Sequence, residues 1–423
     1  MSSKGRVCMI TTGHSGLDDR ILYKESVSLS RLGYEVVLFA PLNAEGSLFD
    51  MAHNSLRTNR MNVGGVDIRG FKVSGRQPGG VNGALRLAKL ASVGGFSWAP
   101  EPFSNLIDLA SALKADIYHS HEVWSLYVCI QIKKRLRAAG KDTKLIYDVH
   151  EYTPAVSSTS GRLFGLHGKV QRRLTTRFER EALGYVHHVI TANQITRGYV
   201  LTLNRFAQVE VIYNCPILPA LEVARCSKAP GGRVVICHEG SLSFDRGLRT
   251  MTETMRLLAE VYRDRVELLI VGDVFGEERR YFEEKTAEYG LDNIVRRTGW
   301  LPYEKVGEAL SRGDIGVILM DPTENNMLAG PPNKLFNYMM AGLPVVSTDL
   351  PETSRIVLET GCGVIVRDRE PRTLVSELSR LIEDGERRRC LGESGKRAVL
   401  NKYNWGCMEK RLMRVYEETI RAR

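Results

Sequence analysis

The sequence is short of most features that would take it outside ordinary globular chemistry. Across its 423 residues, no stretch approaches the roughly 20 consecutive apolar residues of a membrane-crossing helix. The longest runs, such as Glu267-Leu-Leu-Ile-Val271 and Gly316-Val-Ile-Leu-Met320, read as short buried strands. The opening residues turn polar again at Thr11, so they lack the apolar core of a signal peptide. The 39 glycines and 15 prolines are scattered, which excludes collagen and Pro-rich linker proteins. Eight cysteines, at 8, 129, 215, 226, 237, 362, 390 and 407, form no CxxC pair. None combines with His at metal-ligand spacing, so reduced, unbridged thiols of a cytoplasmic protein are expected, without zinc. There is no long Lys/Arg block and no nucleic-acid module signature. The excess of 59 Lys and Arg over 49 Asp and Glu, +10 in all, therefore points to phosphate-bearing small molecules or an anionic membrane surface.

What is present is alternation. Arg6 to Thr12 reads as a strand, Ile21 to Leu32 as a helix stopped by Gly33, and Tyr34 to Ala40 as a buried strand. The βαβ pattern repeats through Ala115–Glu122, 124–138, Lys144–His150, His188–Ala192 and Val209–Tyr213. Asn214-Cys-Pro-Ile-Leu-Pro219 breaks it, and a polar stretch follows to Gly232. Alternation restarts there and ends with strands Pro344–Thr348 and Gly363–Val366. The expected fold is α/β, with two doubly wound parallel-sheet domains facing across a cleft. The boundaries are 1–213, a linker 214–231, 232–400, and a C-terminal helix 401–423. The apolar stripe Met408, Leu412, Val415 and Tyr416 would let that helix pack back on the first domain.

Chemistry-bearing residues cluster at strand ends, where such sheets bind ligands. Thr12-Gly-His-Ser-Gly16 joins the first strand to its helix. It is not GxGxxG, which argues against a dinucleotide; a plain βα turn is the alternative. His119-Ser-His121-Glu122 places both histidines on one strand face, with no third His or Asp at matching spacing for a metal. A positioned His suits sugar-hydroxyl binding or proton handling. Tyr147-Asp-Val-His-Glu151 ends the neighbouring strand the same way. In the second half, Gly240-Ser241 leads to Arg246 at a helix start, a diphosphate-binding arrangement. Gly330-Pro-Pro-Asn-Lys334 opens another helix with a cation in its first turn. That cation opposes the helix dipole unless an anion binds, though a merely solvated lysine is the alternative.

These residues, in this order, resemble the retaining glycosyltransferases of the GT-B fold, family 4. The resemblance rests on His14…Asp19-Arg20-Ile…Lys24-Glu25, His119-Ser-His121-Glu122, and Tyr147-Asp-Val-His150-Glu151. It continues through Gly240…Arg246-Gly-Leu, Val271-Gly272-Asp273, Thr298-Gly-Trp300-Leu301, Gly313-Asp314, and Pro332-Asn-Lys-Leu-Phe-Asn-Tyr-Met339. It implies two Rossmann-like domains and a nucleoside-diphosphate-sugar donor, UDP- or GDP-linked, on the C-terminal half. A glycan or lipid-linked acceptor would bind the N-terminal half. His121 would contact the donor sugar, and Arg246 and Lys334 would neutralise the leaving diphosphate in place of a metal. No further cofactor is implied. Donor binding would involve Gly240, Ser241, Gly272, Asp273, Trp300, Leu301, Pro332, Asn333 and Asn337; acceptor binding would involve Gly16, Asp19, Arg20 and Glu151.

One departure stands out. The family's Glu-x7-Glu pair reads here as Ala329 and Asn337, and the second glutamate normally accepts hydrogen bonds from the donor ribose. Either Asn337 holds the ribose more weakly, or the chain is a catalytically silent partner subunit. A nucleotide-sugar 2-epimerase-like enzyme is the alternative within the fold. Residues 161–178 are basic with interleaved apolar positions, which fits either an anionic membrane surface or a helix with one core face and one solvated face.

Overall fold

The computed structural model describes residues 4–51, 53–73, 103–150, 166–218, 232–328 and 330–422, without the side chains of 166–171, 303–304 and 324–325. The chain forms two compact units, Met1–Tyr213 with Glu409–Arg423, and Asn214–Met408.

The first unit carries an eight-stranded sheet. Its strands are β1 (Arg6–Ile10), β2 (Glu35–Pro41), β3 (Arg60–Val63), β4 (Val66–Phe71), β5 (Ile117–Ser120), β6 (Lys144–Val149), β7 (His188–Thr191) and β8 (Val209–Val211). Their order is β3-β4-β2-β1-β5-β6-β7-β8. All neighbours are parallel except β3, which runs antiparallel along β4. The parallel strands are apolar runs because helices cover both faces. Val7, Cys8, Met9 and Ile10 of β1 are all fully buried. On one face Leu106, Ile107, Leu126 and Ile130 of helices Ser104–Ala112 and Val123–Ala138 pack against Cys8, Ile10 and Tyr118.

The second unit has strands β9 (Val234–Glu239), β10 (Val266–Val271), β11 (Val295–Arg297), β12 (Ile315–Ile318), β13 (Val345–Thr348) and β14 (Gly363–Val366). Their order is β11-β10-β9-β12-β13-β14, all parallel. Met251, Met255 and Leu258 of helix Leu248–Tyr262, and Leu374, Leu378 and Leu381 of helix Pro371–Glu383, close one side of this core.

Both sheets reverse their strand order next to their first strand, β1 beside β5 and β9 beside β12. Such switch points leave a crevice outside the strand carboxyl ends. Met9 pairs with His119 and Ile10 with Ser120, so His121 emerges at the first. His238 and Glu239 end β9 at the second.

Two features depart from the sequence pattern. The β3–β4 hairpin turns through Gly64 and Gly65, both at positive φ, but its edge strand is only four residues long, with Met61 and Val63 its two apolar positions. The first helix starts at Asp19 and is π-wound to Ser26 before a short α-helical piece, Val27–Arg31. Asp18 caps it, accepting from the Arg20 and Ile21 N–H groups. The wider turn brings Arg20, Lys24 and Glu25 inward, and all three are buried. The apolar stripe of helix Trp405–Arg421, by contrast, is buried along Met408, Leu412, Val415 and Tyr416. Its Arg411 donates to the Val211 carbonyl at 3.0 Å, and the Tyr416 ring lies 5.6 Å from that of Tyr34.

Candidate active site

In the C-terminal unit the site is assembled from the end of β9 and helix Asn333–Met340. Pro332 caps that helix with extended backbone, so Lys334 falls in the first turn. Lys334 is only 7% exposed. Its Nζ lies 3.3 Å from His238 Nε2, and it makes no ion pair among the described residues. Burial, and next the Arg246 cation, push its pKa down to about 7, against the pull of Glu239 and Asp245. Burial and Lys334 keep His238 far below its ordinary range, hence neutral. Arg246 itself is exposed in the turn before helix Leu248–Tyr262.

Glu239 has no place among the residues picked out from sequence, yet it sits at the centre of this group. Asn337 Nδ2 donates to its Oε1 at 2.7 Å. Its Oε2 is buried with no hydrogen-bond partner among the described residues. Burial raises its pKa to about 7, while the Asn337 hydrogen bond and Lys334 oppose that rise. Its backbone N–H donates to the Tyr338 hydroxyl at 2.7 Å, and that hydroxyl donates on to the Val317 carbonyl. The strand end is thereby pinned to helix and sheet.

The other donor-side residues divide. Gly240 and Ser241 follow Glu239 directly. Gly272 stands at φ +146, and a Cβ there would lie 2.2 Å from the Gly240 carbonyl oxygen, so the ends of β9 and β10 abut only with glycine. Asp273 is drawn away from ligand work: Arg279 and Arg297 donate to its carboxylate at 2.7 and 3.2 Å. Trp300 is 68% exposed, Leu301 half-buried, and Asn333 exposed.

In the N-terminal unit a buried polar network surrounds His121. Its imidazole is fully buried, and its Nε2 has no hydrogen-bond partner among the described residues. Its Nδ1 lies 3.2 Å from His150 Nε2 and 3.6 Å from Asp148 Oδ2. Asp148 in turn receives Arg20 Nε at 3.1 Å and His150 Nε2 at 3.0 Å. Burial outweighs Asp148 at His121 and lowers its pKa, so it is neutral near pH 7. At His150 burial works against the charge, but Asp148 prevails and raises the pKa. Burial alone would raise Asp148, yet Arg20 and His150 hold it well below the carboxylate range. His119 stacks on His121 at 4.5 Å and bonds the Tyr416 hydroxyl through Nδ1 at 2.8 Å. The C-terminal helix thus braces the histidine pair. Glu122 receives Thr12 N–H at 3.0 Å and the Thr11 hydroxyl, fixing the loop that bears His14.

This network corrects three expectations. Arg20 offers nothing to an acceptor: its guanidinium is buried against Asp148, Glu25 and the Ile212 carbonyl. Gly16 is buried, with Ala40, Ile68 and Leu48 where a side chain would point. Folding also supplies what the local spacing lacked, because Glu25, His119, His121 and Asp148 bring potential ligand atoms within 4.8 Å of one another. Arg20 already stands against both carboxylates, so the grouping is balanced as an ion-pair network. Asp19 remains half-exposed and pairs with Lys24. Glu151, Ala329 and the linker beyond residue 218 lie outside the described residues, as do the side chains of 161–171.

Comparison with known proteins gives the same class. Residues 22–215 match the glycosyl transferase 4-like domain, and residues 233–384 match the glycosyl transferases group 1 model. Sucrose-phosphate synthase from Thermosynechococcus elongatus superposes over 99% of this chain and 100% of its own, with a TM-score of 0.71 and 15% identity. The Anabaena protein HepE, solved with UDP and glucose, superposes over 97% of this chain and 99% of its own, at 0.67 and 12%. The fold is therefore GT-B. The chain belongs to the group 1 glycosyltransferases. An uncharacterised glycosyltransferase of Methanocaldococcus jannaschii is 21% identical over 44% of this chain, a match spanning 46% of that relative's length.

Proposed function

We propose that this chain transfers a sugar from a UDP- or GDP-linked donor to a glycan or lipid-linked acceptor, with retention of configuration. The observation that carries the reading is Lys334, a buried lysine that makes no ion pair among the described residues, at a helix N-terminus beside Arg246. Such a cation is stabilised by an arriving anion, and a nucleoside diphosphate supplies two phosphates to it. Lys334 and Arg246 would neutralise the leaving diphosphate without a resident metal. His121 would contact the donor sugar, positioned by Asp148 and His150, and the N-terminal unit would take the acceptor.

The test is melting in the presence of UDP, GDP, ADP or CMP, with NAD as control. A ligand at 100 times its dissociation constant adds about 2.7 kcal/mol to folded stability. A clear rise with one nucleoside diphosphate is expected. No rise with any of them would contradict the donor assignment and favour a silent partner.

We also propose an anionic membrane surface as a partner. No helix among the described residues is long and apolar enough to cross a membrane. Helix Leu166–Ala182 turns Phe178 and Ala182 into the core and leaves Arg173, Arg177 and Arg180 exposed. Those arginines suit acidic headgroups. Flotation with anionic vesicles at low salt should retain the protein; recovery only in the unbound fraction would remove this partner.

A further inference from the structure

We infer that Glu239, held by Asn337 at the end of β9, accepts the hydroxyls of a vicinal diol on the donor and so fixes a donor sugar ring beside Lys334. This rests on the donor reading above and adds a binding residue to it.

Three observations converge. First, helix Asn333–Met340 contains no carboxylate, but Asn337 on its inner face donates to Glu239 Oε1 at 2.7 Å. The helix thus presents an acid that belongs to the strand. Second, Glu239 Oε2 is buried and unpartnered among the described residues. Buried polar atoms are nearly always satisfied, and one left open next to a ligand site marks the place of a ligand donor. Third, a Cβ built on Gly240 would meet nothing within 4 Å, so the space beside the strand end is open. The Tyr338 hydroxyl fixes the Glu239 backbone, and the Asn337 amide holds the carboxylate.

The surroundings choose the donor group. Lys334 and Arg246 already raise the local positive potential, so a cationic ligand group would be repelled. A hydroxyl is a neutral donor and meets no such penalty. A carboxylate has two oxygens and four lone-pair directions, which suits two neighbouring hydroxyls. A ligand that puts phosphates on Lys334 and a diol on Glu239 is a ribonucleotide or a nucleotide sugar. Both sources share this chemistry.

The experiment separates them. The full chain is titrated calorimetrically with the ribonucleoside diphosphate that raises its melting temperature most, with the 2′,3′-dideoxy analogue, and with the matching nucleotide sugar. Hydrogen bonds to a charged acceptor predict that the native protein prefers the ribo form by roughly ten- to a hundredfold. Glu239→Gln should erase that preference by lowering ribo affinity to the dideoxy level. If ribo and dideoxy forms bind alike but Glu239→Gln weakens the nucleotide sugar alone, the diol is on the transferred sugar and the inference stands. If Glu239→Gln keeps both the ribose preference and the nucleotide-sugar affinity, the inference is wrong while the donor reading survives. Absence of any nucleotide binding by the native protein would overturn both. Asn337→Leu supplies a second test that leaves the carboxylate in place: losing its holder should reduce the same preference several-fold, and an unchanged preference there, with Glu239→Gln unable to fold, also counts against the role.

Discussion

Lys334→Met should weaken nucleoside-diphosphate binding by roughly 150-fold without lowering the melting temperature of the free protein. The two outcomes have one cause. Folding takes the ammonium out of water, and burial with the Arg246 cation depresses its pKa from 10.5 to about 7. Between about pH 7 and 10.5 the unfolded chain holds a proton that the folded chain does not. Folded stability therefore falls as pH drops from 10.5 towards 7 and stays reduced below it. A methionine of similar shape removes that burden. It also removes the charge-assisted hydrogen bonds to phosphate, worth about 3 kcal/mol, or roughly 150-fold in affinity. The same linkage gives a pH signature for the native protein. A bound diphosphate favours the ammonium form, so binding at pH 8 takes up a proton and affinity declines as pH rises above 7. Calorimetry at pH 8 in buffers of different ionisation heat reads the proton directly. Equal heats in all buffers, with pH-independent affinity, would show that Lys334 is charged before the ligand arrives. The groups that face this lysine, His238, Glu239, Asp245 and Arg246, all belong to the same unit, so the effect does not depend on movement between units.

Much of this site is legible before folding, for a specific reason. Parallel strands covered on both faces are written as continuous apolar runs, and the polar residues that interrupt them fall at strand ends. His121, Arg246 and Lys334 stand out there by type alone. Glu239 does not, because a glutamate before a glycine at the end of Val-Val-Ile-Cys-His is unremarkable in sequence. Its meaning comes from Asn337, whose amide reaches it across 98 residues. On the inference above, the carboxylate missing from the helix would be supplied by the strand. Arg20 illustrates the opposite error. Polar, near a strand end and at a helix start, it has the marks of a ligand-binding residue. The π-wound turn changes which residues face inward, and its guanidinium is spent on Asp148 and Glu25. Asp273 is likewise paired, by Arg279 six residues on and by Arg297, which the pairing of β10 with β11 brings beside it.

Arg20→Ala should lower the melting temperature of the protein by about ten degrees, from a destabilisation of roughly 3–5 kcal/mol. The size follows from what is left behind. Arg20 is the cation between two fully buried carboxylates, 3.0 Å from Glu25 and 3.1 Å from Asp148. It also satisfies the Ile212 carbonyl at 2.8 Å. Without it, Asp148 is left as a buried charge without its main counter-charge, beside a carboxyl that burial already pushes towards its neutral form. Burial, then Asp148, already raises the pKa of Glu25 to about 8. A raised carboxyl stabilises the fold at low pH and loses that contribution as pH climbs from 4.5 through its folded value. Removing Arg20 raises both carboxyls further, and Asp148 loses its partner at any pH above its unfolded value, so the deficit should already be present at pH 5.5 and larger at pH 8. Arg20→Lys should recover little, because one ammonium cannot span both acids and the carbonyl as the planar fork does. The damage should reach His121 as well, since Asp148 holds His150 and through it the His121 ring. Transfer activity at a temperature where the variant is still folded should therefore drop, while affinity for the nucleoside diphosphate alone, proposed to rest on Lys334 and Arg246, should not. A deficit equal at both pH values would mean that lost packing, rather than stranded charge, explains the loss.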